Sequence, residues 1–153
     1  MSGRGTQQLV LPDLAAVEAL GRRIAAVLQA GDVIALSGSL GAGKTTLARA
    51  IIAGAGHTGE VPSPTFTILE TYDPPAVRLP IVHADFYRLD TVEEAEELGL
   101  AEYRVGAALL AEWPEKAGGF WHERSRLGIH LQAHADQRIA EINRGLGWKG
   151  RVF

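Results

Sequence analysis

Cysteine is absent from the 153 residues. That excludes disulfides, thiolate metal sites and cysteine nucleophiles together, and it fits a reducing compartment. Lysine is scarce: Lys44, Lys116 and Lys149 are the only three, so a lysine inside a motif stands out. No apolar run approaches the roughly 20 residues that cross a bilayer. Met1–Gln8 is polar and lacks the apolar centre of a secretory signal. The expected setting is the cytoplasm, with no membrane contact. A strong excess of one charge is also missing. A net charge of −3 gives no general attraction toward nucleic acid; if RNA is engaged, a partner carries most of the contact.

The remaining composition, 46% hydrophobic and 22% charged, is that of an ordinary globular protein. The length argues for one domain over residues 1–153, with residues 1–8 expected to be flexible. A chain of this size buries roughly 70% of the surface it exposes when unfolded, enough for a core without staples.

Leu9–Leu11 reads as a short strand. Asp13 then caps a helix to about Gln29, with Leu14, Val17, Ile24 and Leu28 at helical spacing and Gly31 as its stop. Val33–Leu36 is apolar at every position, which suits a strand buried on both faces of a parallel sheet. Ser37–Gly43 is glycine-rich. From Lys44 the pattern becomes helical, with Leu47, Ala48, Ile51 and Ile52 on one side and Gly54 and Gly56 at the end. Thr65–Tyr72 is β-rich, and Leu79–His83 and Ala107–Ala111 read as buried strands ending near Asp85 and Glu112. Thr91–Leu98 is an acidic helix. Leu127–Ala133 and Arg138–Asn143 alternate with period two and pair as a hairpin around His134–Gln137. The segment from Gly145 to Phe153 gives no clear signal.

Strand, glycine loop and helix meet at Gly38-Ser39-Leu40-Gly41-Ala42-Gly43-Lys44-Thr45, which fits G-x-x-x-x-G-K-[ST] throughout. The glycines let the backbone turn its N–H groups onto phosphate oxygens. The helix that starts there adds unpaired amides and the positive end of its dipole. Lys44 reaches the β and γ phosphates, and the Thr45 hydroxyl ligates Mg²⁺. The segment from Ser39 to Thr46 is therefore the expected nucleotide-binding loop. The fold expected around it is a single P-loop NTPase domain of the α/β class: three layers, a mostly parallel sheet and an antiparallel C-terminal hairpin.

Hydrolysis or transfer also needs a carboxylate at a neighbouring strand end to hold Mg²⁺. Asp85 and Glu112 both have that position. One ligates directly and the other through water, since Mg²⁺ prefers oxygen donors and keeps several waters. The Ser63-Pro64-Thr65 turn either presents a hydroxyl to the γ phosphate or simply leads into a strand. His83 either orients an acid, contacts substrate or has a structural role. Trp113 is either core or a stacking surface beside the site. Glu93, Glu94, Glu96 and Glu97 form a solvated helix face or a docking surface for a basic partner.

Missing motifs narrow the field. There is no Asn-Lys-x-Asp guanine-reading sequence and no Leu-Ser-Gly-Gly signature. The chain is too short for an AAA+ module. A small-molecule kinase fits the length, although the arginines are scattered and form no lid segment.

Five motifs follow in order: G-x-L-G-A-G-K-T-T (Gly38–Thr46), S-P-T-F-T (Ser63–Thr67), H-x-D-x-Y-R-L (His83–Leu89), E-E-L-G-L (Glu96–Leu100) and E-W-P-E (Glu112–Glu115). Together they resemble the TsaE family, also called YjeE, of bacterial tRNA threonylcarbamoyladenosine synthesis. The resemblance implies a P-loop domain that binds ATP or ADP with Mg²⁺. It implies slow ATP hydrolysis alone and work with the partner proteins TsaD and TsaB, with tRNA engaged through that complex. Under it, Lys44 holds phosphates, Thr45 and Glu112 serve Mg²⁺, Asp85 is the second acid needed for hydrolysis, and Thr65 belongs to a switch-like loop. Trp113 lies beside the site; His83, Tyr87 and Arg88 match the pattern without a specific role. Ser39 departs from it, standing where the family usually has aspartate. An alternative is a nucleotide-gated binding module in which hydrolysis is not essential.

Overall fold

The computed structural model describes residues 6–62 and 68–153. Its frame is a seven-stranded sheet. The all-apolar run becomes β2 (Val33–Gly38), which lies parallel to β5 (Ala108–Glu112) on one side and to β6 (Arg126–His134) on the other. β4 (Ile81–Asp85) continues the parallel set beyond β5. Antiparallel strands close both margins. β3 (Leu69–Tyr72) pairs with β4 on one side; β7 (Gln137–Arg144) pairs with β6 and β1 (Thr6–Leu11) with β7 on the other. The order is β1-β7-β6-β2-β5-β4-β3. The parallel core and the C-terminal hairpin match the expected class.

Residues 1–5 of the start expected to be flexible lie outside the described residues. Thr6, Gln7 and Gln8 pair with Asn143, Ile142 and Glu141, because β7 offers them a ladder that sequence alone does not reveal. The β-rich stretch from Thr65 becomes strand only from Leu69 among the described residues.

α1 (Leu14–Val27) and α2 (Lys44–Gly54) cover one face of the sheet. The Asp13 carboxylate accepts the Ala16 amide at 2.9 Å and so satisfies one of the free donors at the start of α1. α1 ends two residues before the expected Gln29, whose amide instead donates to the Asp32 carboxylate at 2.7 Å. The helices meet through glycine. A Cβ on Gly21 would strike Ala50, and one on Gly54 would lie 2.9 Å from the Ala25 Cβ. Leu20, Ile24, Leu47 and Ile51 fill this layer at 0% exposure, each contributing about 1.5–3 kcal/mol by burial.

The opposite face is covered unevenly. Short α3 (Glu93–Glu97) and α4 (Leu100–Tyr103), with Phe86, Leu89 and Phe120, pack over β2, β4 and β5. The acidic helix serves itself in part, since the Glu94 carboxylate accepts the amides of Asp90 and Thr91 at 2.7 and 2.9 Å. Among the described residues, this second apolar cluster includes no side chain of β1, β6 or β7. The uncertain C-terminal segment is anchored: Trp148 is fully buried, its indole donates to Ser125 O at 2.8 Å, and Arg151 pairs with Asp32.

Candidate functional site

β2 ends at Gly38, where φ is +136° and an added Cβ would run into the carbonyl oxygen of Leu131 on β6. Only glycine fits there, so the chain leaves the sheet and turns at once into the loop. Gly43 is left-handed at φ +106° and starts α2. The first-turn amides of α2 therefore open onto the loop's concavity, where an anion would complete them.

Lys44 is 5% exposed. Its ammonium donates to Gly38 O and Ser39 O, each at 2.8 Å, and lies 4.4 Å from the centre of the Trp113 ring. Burial lowers its pKa, opposed by Glu112, Asp85 and Glu115. The ammonium thus sits in a partly dry recess whose acids help to keep it charged. Ser39 contributes its carbonyl, while the residue itself stays exposed.

The two strand-end acids come together because β4 and β5 run in register, with Asp85 beside Glu112. Glu112 is 2% exposed. One of its oxygens accepts the Thr45 hydroxyl at 2.7 Å and the other meets His83 Nε2 at 2.7 Å. His83 is wholly buried and its Nδ1 has no partner. The arrangement fits the tautomer with the proton on Nε2, donated to the carboxylate. Of the readings open for His83, the geometry matches orientation of an acid. Asp85 accepts the Tyr87 amide at 3.0 Å. Burial raises its pKa; that amide opposes the shift and Glu112 adds to it.

A cavity of about 290 Å³ gathers Leu40, Gly41, Gly43, Lys44, Thr45, Thr46, Asp85, Glu112, Trp113 and Arg138. Thr45, Glu112 and Asp85 supply hard oxygen donors. Among the described residues no group of three or more His, Cys, Asp or Glu could hold a metal ion. A cation here would thus depend on the hydroxyl, one or two carboxylates, water and phosphate, the donor set suited to Mg²⁺. Ala42 faces an adjoining cavity of about 230 Å³, lined also by Leu11, Leu14, Val17, Leu131, Asp136 and Arg138. Trp113 packs partly into the second apolar cluster and gives Lys44 an aromatic face. The Tyr87 ring lies against it, tilted by 50° with the ring centres 4.9 Å apart. Thr65 lies outside the described residues.

Arg138 is the residue that sequence reasoning missed. It leaves β7, donates from Nε to Ala42 O at 3.0 Å and stands between the two cavities. A signal existed. Residues two apart on a strand share a face, so Arg138 shares the face of Ala140 and Ile142, both at 0% exposure. An arginine on an apolar face had a reason to be there.

No described helix is long and apolar enough to cross a membrane. The family model of TsaE, "Threonylcarbamoyl adenosine biosynthesis protein TsaE", matches residues 11–141. The chain is 44% identical over 112 residues to a tRNA threonylcarbamoyladenosine biosynthesis protein TsaE of Streptomyces coelicolor, covering 72% of this chain and 76% of the relative. It is 36% identical over 138 residues to the TsaE protein of Haemophilus influenzae, covering 86% and 85%. The crystal structure of Bacillus subtilis YdiB superposes with a TM-score of 0.74 at 31% identity, covering 92% of this chain and 86% of that one. With the loop, the paired acids and these likenesses in place, the chain belongs to the TsaE family of threonylcarbamoyl adenosine biosynthesis proteins.

Proposed function

We propose that the chain is a cytoplasmic Mg²⁺-dependent ATPase, slow alone, that supports threonylcarbamoyladenosine modification of tRNA together with TsaD and TsaB. The observation that carries this reading is the 2.7 Å bond between the Thr45 hydroxyl and Glu112. It brings the phosphate loop's hydroxyl and a strand-end acid close enough to share one cation. When bound, Mg²⁺ would neutralise charge developing on the transferred phosphoryl group.

The chain's own residues do the rest. The amides from Ser39 to Thr46 cradle the phosphates, and the Lys44 ammonium leaves the carbonyls of Gly38 and Ser39 to meet them. Thr45 and Glu112 present oxygens to the cation. His83 holds the far oxygen of Glu112, so the carboxylate keeps one orientation. Asp85, whose pKa burial raises, orients water or accepts a proton from it. The adjoining cavity beside Ala42 and Arg138 takes the nucleoside end.

Calorimetric titration of ADP tests binding without relying on turnover. Mg²⁺ should tighten ADP binding to the wild-type protein, and Thr45→Ala and Glu112→Gln should remove most of that gain. Equal Mg²⁺ dependence in all three proteins would contradict the assignment.

A further inference from the structure

On the sheet face away from α1 and α2, a cavity of about 570 Å³ opens over β2, β6 and β7. Its floor holds Arg126, which is 7% exposed. The guanidinium donates from Nε to Gly119 O at 2.8 Å and lies 3.7 Å from the centre of the Trp121 ring. Trp121 itself is 70% exposed, so the indole roofs the arginine and faces solvent with its other side. Gly128 completes the cradle, since an added Cβ there would collide with Arg126 Nη1.

No acid answers this charge among the described residues. Glu112, Glu123 and Asp32 pair instead with His83, Arg104 and Arg151. Burial alone lowers the Arg126 pKa, with no neighbouring carboxylate opposing it, although Glu115 and Glu141 also line the cavity. A carbonyl and a ring do not neutralise a buried charge, which is costly without an ion pair, and a planar guanidinium is the group best matched to a carboxylate.

We propose that this cavity is a docking site for an acidic side chain of another polypeptide, with Arg126 as its anchor and Trp121 as its aromatic wall. The proposal rests on the reading that the chain works with protein partners. A polypeptide suits the place better than a free anion because the cavity is wider than one carboxylate. It also opens on the half of the sheet that the second apolar cluster leaves bare. Val10, 59% exposed, lies on that same face, since Leu9 and Leu11 to either side pack into the first cluster. Arginine and tryptophan are the residues enriched at interface hot spots, and the exposed lining around them, Glu115, Gln132, Glu141 and Asn143, is polar as an interface rim is. The cavity also touches Ser37 and Gly38, where the phosphate loop begins, and Pro114 and Glu115, just after Glu112 and Trp113. A docked partner would bear on both segments that frame the nucleotide site.

The test compares wild type, Arg126→Gln and Trp121→Ala for affinity to the assembled TsaD–TsaB pair, with ADP affinity measured on each protein. Both variants should weaken the pairing by about tenfold or more while ADP affinity stays unchanged. Trp121→Ala removes an exposed ring, so it keeps the comparison valid if Arg126→Gln does not fold. Wild-type pairing by the folded variants would overturn the proposal. If the wild-type chain itself fails to pair, the partner reading of the function falls, and a second arm decides the site. N-acetylglutamate N-methylamide is titrated against its glutamine counterpart while the Arg126 Nε–H resonance is followed. A shift with the carboxylate only, lost in Gly128→Ala, supports the site. No shift, or the same shift with both probes, overturns it.

Discussion

At the scale of single residues, Lys44 and Asp85 carry opposite signs and opposite shifts for one reason, burial. Lys44 now spends its ammonium on two backbone carbonyls. Lys44→Ala should weaken ADP binding by about 1.5–3 kcal/mol, roughly tenfold to a hundredfold, as lost charge-assisted bonds do; calorimetry reads this directly. Asp85 holds its proton more tightly folded than unfolded. Its contribution to stability is therefore complete at acid pH and declines as pH rises through and beyond the ordinary carboxylate pKa near 3.8. At neutral pH the ionised group works against the empty fold. Asp85→Asn should raise the thermal midpoint by about 1–4 °C at pH 7, with less gain at pH 4, while abolishing hydrolysis. A lower midpoint at pH 7 would contradict this. The loop and both acids are legible in the sequence because their chemistry is local or sits at recognisable strand ends. The role of His83 is not, since it depends on β4 and β5 lying side by side. Arg138 reaches the loop only after β7 has folded back on β6.

At the scale of elements, close approach of α1 and α2 depends on Gly21 facing Ala50 and the Ile51 amide. Gly21→Ala offers better helix propensity, yet its methyl meets backbone that cannot easily move. The clash should win, lowering stability by about 1–3 kcal/mol, seen as a lower urea midpoint with unchanged slope. The long elements with apolar periodicity, α1, α2, β2 and the β6–β7 hairpin, are readable from sequence. α3, α4 and β3 are short, and tertiary packing sets their bounds. Ala95 and Leu100 are buried and tie the two short helices down. The C-terminal segment lacks periodicity because its stability comes from Trp148 in the core and Arg151 on Asp32, two contacts far apart in sequence.

At the scale of the whole molecule, one sheet carries two separate surfaces. The nucleotide-site candidates gather at the carboxyl ends of β2, β4 and β5, where α2 begins. The bare half over β6, β7 and β1 lies on the other face. The same β2 strand links them, since Leu36 points into the first apolar cluster while Ser37 bonds His130 at 2.9 Å on the open side. Membership of the TsaE family frames both surfaces as parts of a tRNA-modification protein. The most direct test of the account is phosphate release from ATP by the purified protein. It should be measured with and without Mg²⁺, then with TsaD and TsaB, for wild type and Glu112→Gln. Wild type should release phosphate slowly, only with Mg²⁺ and faster with the partners, while Glu112→Gln should stay at background despite retained ATP binding. Release that ignores Mg²⁺, or a Glu112→Gln rate equal to wild type, would contradict it.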